Sequence, residues 1–127
     1  MSAFSDYLEN KVLDHVFGGN AYSAPGTLYL ALYTSDPGDD NSGTECSGTA
    51  YARQTIAFTV TADTASNTSA VEFPTAGSAW GTITHVGILD ALTSGNLLAH
   101  GALTASKTIA SGDVFRVPAA DLDITLA

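Results

Sequence analysis

Thr27-Leu28-Tyr29-Leu30-Ala31-Leu32-Tyr33-Thr34-Ser35-Asp36-Pro37 is the stretch that decides how the chain is read. Leu28, Leu30 and Leu32 alternate with Tyr29, Ala31 and Tyr33. Successive side chains on a strand point to opposite faces, so one face is leucine and the other is tyrosine and alanine. Neither face suits water. Such a strand needs cover twice, from a facing sheet on one side and from a helix or another subunit on the other. Asp36-Pro37-Gly38 ends it, because proline has no N–H for the ladder and glycine accommodates the turn.

Downstream of Tyr51 the chain reads as short strands separated by turn residues. Ile56, Phe58 and Val60 share a face opposite Thr55, Ala57 and Thr59, and Ala62 to Ser69 reads as a polar connection. Val71 and Phe73 make a brief strand closed by Pro74. In Thr82 to Asp90, Ile83, Gly87 and Leu89 face opposite Val86 and Ile88. Thr93-Ser94-Gly95-Asn96 is a hairpin turn from which Leu97 to Leu103 returns. Lys107 to Ile109 and Val114 to Val117 read as a second hairpin-like pair. Leu122, Ile124 and Leu126 alternate with Asp121, Asp123 and Thr125 as a half-buried strand.

Upstream, Ser2 to Phe17 predicts one helix. Ser5 is its N-cap, Asp6 and Glu9 fall in the first turn where the helix dipole favours anions, and Gly18-Gly19 stop it. Leu8, Val12, Leu13, Val16 and Phe17 form one apolar stripe, suited either to docking on the chain's own sheet or to packing on neighbouring subunits. Seven or eight strands after one helix, with no helices between them, predict a mainly β protein. The expected architecture is an antiparallel β-sandwich, jelly-roll or Greek-key-like, with an N-terminal α-helix. The expected division is residues 1–19 for the amphipathic helix and 20–127 for the β-sandwich domain.

At 127 residues the chain is long enough to bury a core without staples, and Cys46, its only cysteine, allows no internal disulfide. Four basic against thirteen acidic residues give a net charge of −9, which repels a phosphate backbone and disfavours nucleic-acid partners. No apolar run reaches the length of a membrane span and the N-terminus lacks a signal-peptide pattern, which predicts synthesis in a cytoplasm and no membrane partner. Charged residues make up 13% of the chain, about half the usual share, as suits close-packed strands and subunit contacts.

Each candidate chemistry has a plainer explanation beside it. Asp36, Asp39, Asp40 and Glu45 in the Ser35 to Ala50 loop offer oxygens for calcium, yet Gly38 sits where an EF-hand places its third-position ligand, and a solvated acidic loop is the better reading. His85 and His100 fall on strands paired through the Thr93 to Asn96 turn and, with Asp90, would make a metal or acid/base pair. Isolated strand histidines are more often structural. The chain has no Gly-x-Ser-x-Gly elbow and no phosphate-cradling loop, and an acidic neighbourhood raises the Cys46 thiol pKa rather than lowering it. Trp80, Tyr51 and Phe73 with Pro74 either line a shallow sugar or peptide site or anchor a sandwich corner, the second being commoner. No catalytic residue, metal ligand or cofactor is expected.

Taken in order, Leu30-Ala31-Leu32-Tyr33-Thr34-Ser35-Asp36-Pro37, Gly43-Thr44-Glu45-Cys46-Ser47-Gly48, Tyr51-Ala52-Arg53-Gln54, Phe73-Pro74, Trp80-Gly81-Thr82-Ile83, His85-Val86-Gly87-Ile88-Leu89-Asp90 and Gly95-Asn96-Leu97-Leu98 resemble a family of small tailed-phage virion proteins, often labelled tail-fibre proteins. The resemblance implies a phage structural protein without enzymatic activity, located in the virion. Cys46 departs from the small or aliphatic residue expected at its position. A long fibre shaft needs length or repeats, and neither is visible. A compact domain with a terminal helix suits a capsid cement or decoration protein, with a tail-fibre or receptor-binding module recognising host-surface carbohydrate as the alternative. Expected partners are the chain itself, as a homotrimer, and capsid or tail proteins. The expected contact residues are Leu8, Val12, Val16, Tyr29, Tyr33 and Trp80.

Overall fold

The computed structural model describes residues 3–126. In chain order its elements are β1 (Ala3–Phe4), α1 (Asp6–Val16), β2 (Leu28–Tyr33), β3 (Gln54–Ile56), β4 (Phe58–Thr61), β5 (Thr64–Asn67), β6 (Val71–Glu72), β7 (Gly81–Leu89), β8 (Leu97–Ile109), β9 (Arg116–Val117) and β10 (Asp123–Thr125). The protein is mainly β, with antiparallel sheets and one helix. A five-stranded sheet runs β1-β8-β7-β2-β3, a three-stranded sheet β10-β5-β4, and β6 pairs with β9.

β2 lies inside the large sheet, paired antiparallel with β7 from Tyr29–Leu89 to Tyr33–His85 and with β3 from Leu28–Ile56 to Leu30–Gln54. Its leucine face joins the main core, where Leu30 and Leu32 meet Ile56, Ile83, Val86 and Ile88. Val71 and Val117 from the two-stranded sheet reach the same core, and Phe58 and Ile124 from the three-stranded sheet pack against it, so both small sheets cover this face. Tyr51, Phe73, Trp80 and Phe115 close one end, with Tyr51 stacked on Phe73 at 6.1 Å and edge-on to Trp80 at 5.4 Å. The other face of β2 forms a separate cluster of Ala31, Tyr33, Leu89 and Leu97.

Several elements depart from the expected boundaries. The helix begins at Asp6, and Ser2, the expected start, lies outside the described residues. Ser5 is its N-cap as expected, its oxygen accepting the Leu8 N–H at 3.2 Å. Ala3 and Phe4 are instead a strand against His100 and Ala99, a pairing that only the distant β8 could specify. The polar Ala62 to Ser69 connection contains β5, which pairs with β4 on one side and β10 on the other. Val117 and Arg116 pair with Val71 and Glu72, not with the Lys107 to Ile109 stretch, because Trp80 N–H takes the Ile109 carbonyl at 2.8 Å and Phe73 N–H takes that of Phe115 at 2.9 Å. The run from Ile56 to Val60 is broken between β3 and β4, so Ile56 is buried while Val60 is 70% exposed.

A register shift between Ile83 and His85 turns Ile83 into the main core beside Val86 and Ile88, whereas strict alternation placed it with Gly87 and Leu89. The Thr93 to Asn96 turn joins β7 to β8 as expected, with positive φ at Ser94 (54°) and Gly95 (77°).

Candidate functional site

The Ser35 to Ala50 loop folds back over the sheet and is fixed by its own carboxylates. Asp36 accepts from the Gly38 N–H at 2.9 Å and Asp40 from the Ser42 N–H at 3.2 Å, the side-chain-to-backbone bonds that favour aspartate in turns. Glu45 bridges back to Tyr33, the Cys46 N–H donates to the Leu32 carbonyl at 2.7 Å, and the loop thereby pairs with β2 beyond the reach of β3.

Glu45 is also half of a two-pronged ion pair. Arg53 grips it with two nitrogens, Nε to Oε2 at 2.9 Å and Nη2 to Oε1 at 2.8 Å, while Nη1 donates to the carbonyls of Ala91 and Ser94, both at 2.8 Å. Tyr51 adds its hydroxyl to Oε2 at 2.7 Å and accepts the Leu32 N–H at 3.1 Å. Burial pushes the Glu45 carboxyl pKa up, but the Arg53 and Tyr51 hydrogen bonds and the Arg53 charge outweigh it and hold the carboxyl below the usual glutamate range. Tyr51 is pushed far above the ordinary phenol range, chiefly by burial. The partners of Arg53 belong to the fold, so the network locks the acidic loop to the β7–β8 turn.

His85 and His100 do approach one another, through the loop rather than through Asp90. His100 Nε2 lies 2.7 Å from Asp39 Oδ1, and Asp36 Oδ1 stands 3.9 Å from His100 Nδ1 and 4.0 Å from His85 Nε2. Asp90 caps the turn instead, accepting from Asn96 N–H at 2.7 Å. Asp39 also offers its carbonyl to the Asp6 N–H at 2.9 Å, so the loop holds the start of α1. Asp6, Glu9 and Asp39 each bring a carboxylate oxygen to within 4.8 Å of the others, all on exposed side chains.

Cys46 is buried and its thiol is pushed up to about 11, by burial first and the Glu45 charge second, so it is not a thiolate at neutral pH. Among the described residues the hydrogen bonds of Cys46, His85 and His100 form no Ser-His-Asp or Cys-His arrangement of the kind that activates a nucleophile.

The expected contact residues separate into two groups. Tyr33 and Trp80 are buried, at 1% and 3% exposure, and are unavailable on the surface of a single chain. The Tyr33 hydroxyl donates to Asn41 Oδ1 at 2.9 Å and its ring lies over Gly87, where an added Cβ would stand 2.8 Å from Cε1. Trp80 Nε1 donates to the Thr49 carbonyl at 3.0 Å, so the aromatic group is a corner of the core rather than a sugar platform. Leu8 and Tyr29 are half-buried. Val12 and Val16 are exposed, as are Leu13 and Phe17 of the same stripe, and α1 contains no buried residue.

The tyrosine face of β2 is thus closed within the single chain at Ala31 and Tyr33, where Asn41 of the loop takes the Tyr33 hydroxyl, and the N-terminal segment is held alongside on β8. Ser5 N–H reaches the Leu98 carbonyl at 2.8 Å and the Ser5 hydroxyl bonds the Leu97 carbonyl. The expected homotrimer drew on both faces of β2 as well as on the helix stripe, and the first of those supports is removed.

Among the described residues no helix is long and apolar enough to cross a membrane. A comparison with curated proteins found no match. The model of one family, described as podophage GP4 fiber I protein gp80, matches residues 3–125 and so spans the helix, the acidic loop and all three sheets. The chain belongs to this family of phage virion structural proteins.

Proposed function

We propose that the protein is a non-enzymatic component of a phage fibre and that it is held in the particle through the outer face of α1. The observation that carries this reading is the distribution of exposed apolar side chains. Of the eight large hydrophobic residues exposed among the described residues, four (Val12, Leu13, Val16 and Phe17) fall within six consecutive positions of the helix and its C-cap. The sheets close their core within one chain, whereas the helix leaves its stripe bare, the pattern of a segment kept for a partner. The polar clusters support a structural role, since the Glu45–Arg53–Tyr51 network and the His100–Asp39 contact hold loops together.

The compact domain and terminal helix suggested a capsid cement protein from the sequence, and the same helix would serve in either place. The family's description names a fibre, which favours the fibre reading. The test is immunogold labelling of purified particles. Label on fibres supports the reading, label spread over the head returns the cement role, and absence of the protein from particles overturns both.

A further inference from the structure

The two sides of α1 differ in charge as well as in burial. On the side toward the body, Tyr7 and Leu8 are half-buried, Lys11 Nζ stands 5.6 Å from the centre of the Tyr7 ring, and His15 Nδ1 accepts the Tyr22 N–H at 3.1 Å. The basic side chains of the helix are therefore engaged with its own tyrosine neighbours. The outer side reads Glu9, Val12, Leu13 and Val16 at i, i+3, i+4 and i+7, with Phe17 four residues after Leu13 and Asp6 three before Glu9. Asp39 joins Asp6 and Glu9 from the loop, their carboxylate oxygens within 4.8 Å of one another, so an exposed anionic end adjoins an exposed apolar stripe.

That combination selects the occupant. A parallel pair of this face would oppose carboxylates with carboxylates, and an antiparallel pair would set Asp6 and Glu9 against the negative, C-terminal end of the other helix, in chains that each carry a net charge of −9. An anionic lipid surface meets the same repulsion. We infer that the outer face of α1 docks a different protein of the particle, laying Val12, Leu13, Val16 and Phe17 into an apolar groove whose rim carries lysine or arginine facing Asp6 and Glu9. This is the helix-in-groove mode, with the charges setting register and the apolar stripe supplying most of the affinity. It rests on the fibre reading only in placing that partner in the particle.

The experiment is to propagate phage carrying the wild-type, Glu9→Gln, Glu9→Lys, Phe17→Ser or control Val60→Ser gene and to quantify the protein in purified particles by immunoblot. The purified chains are compared in parallel by melting and sedimentation. Phe17→Ser and Glu9→Lys lower incorporation roughly tenfold or more, and Glu9→Gln lowers it less. Val60→Ser leaves incorporation unchanged, and all variants melt like wild type because α1 buries no residue and Val60 is 70% exposed on β4. Wild-type protein present in particles with Glu9→Lys and Phe17→Ser incorporated normally overturns this inference and the attachment through α1, and leaves only the location in the fibre standing. Wild-type protein missing from particles overturns both. Self-association of the purified chain that Phe17→Ser abolishes, or binding to phosphatidylglycerol vesicles, assigns the face to a second copy or to a membrane and overturns the inference.

Discussion

Arg53 and Glu45 form a two-pronged ion pair at 2.8 and 2.9 Å, with the arginine side chain only 9% exposed and the glutamate 26%. The pair joins a loop to the β7–β8 turn across the end of the large sheet, which gives it leverage on stability.

Glu45→Gln strips a largely buried cation of its counter-charge and should destabilise the fold by about 3 kcal/mol, read as a lowered urea midpoint at pH 7. The sign of the pH dependence follows from the depressed Glu45 pKa. A carboxyl held below its unfolded value contributes fully above the ordinary glutamate range, and that contribution is lost as pH falls through the depressed value. The gap between wild type and Glu45→Gln should shrink as pH falls below the ordinary glutamate range. A gap unchanged with pH would contradict the role given to the pair.

Gly87→Ala should destabilise by about 1–3 kcal/mol, the usual cost of overfilling a packed site. The new Cβ would stand 2.8 Å from both Leu97 Cδ1 and Tyr33 Cε1, and both side chains are buried with little room to retreat. A melting temperature equal to wild type would mean that the Tyr33 cover of β2 is looser than described.

Asn67→Ala should cost about 2–3 kcal/mol and speed hydrogen exchange at the Leu122 amide. Asn67 is 1% exposed, donates to the Ser69 and Pro118 carbonyls, each at 2.9 Å, and accepts the Leu122 N–H at 2.9 Å. Slow exchange at Leu122 in the variant would show that β10 is held by other means.

Leu30→Asp places an unpaired charge at a position with no exposure and should prevent accumulation of folded protein, while Val60→Asp on β4 should leave folding intact. Solubility and circular dichroism of the two variants separate a core strand from a bare one. Equal behaviour would contradict the burial pattern.

What was legible in the sequence was local or periodic. Leu28 to Tyr33 reads as a strand apolar on both faces because its neighbours in sequence already carry the alternation, and Ser5 reads as a cap because capping needs only the next turn. β1 was not legible, since Ala3 and Phe4 are a strand only by virtue of Ala99 and His100. β5 hides in a polar run whose Thr64 and Ser66 pair with Thr125 and Asp123 of the distant β10. The Val114 to Val117 segment shows the same limit, because its partner was chosen by Val71 rather than by sequence proximity.

The candidate site was half legible. The stripe of Val12, Leu13, Val16 and Phe17 follows from helical spacing, but spacing alone could not tell a stripe docked on its own sheet from one left bare. Tyr33 and Trp80 looked like contact residues because aromatic side chains favour interfaces and cores alike. The Glu45–Arg53 lock had one available signal: a rare cation lying eight residues from a glutamate in a strongly acidic chain.

The most direct test of the account is hydroxyl-radical footprinting of the free protein and of intact particles, read at Leu13 and Phe17, which are 56% and 82% exposed in the single chain. Strong labelling of both is expected in the free protein and protection of both in the particle, with Val60 labelled alike in the two. Leu13 and Phe17 labelled equally in both states, with protection confined to the sheets, would contradict it.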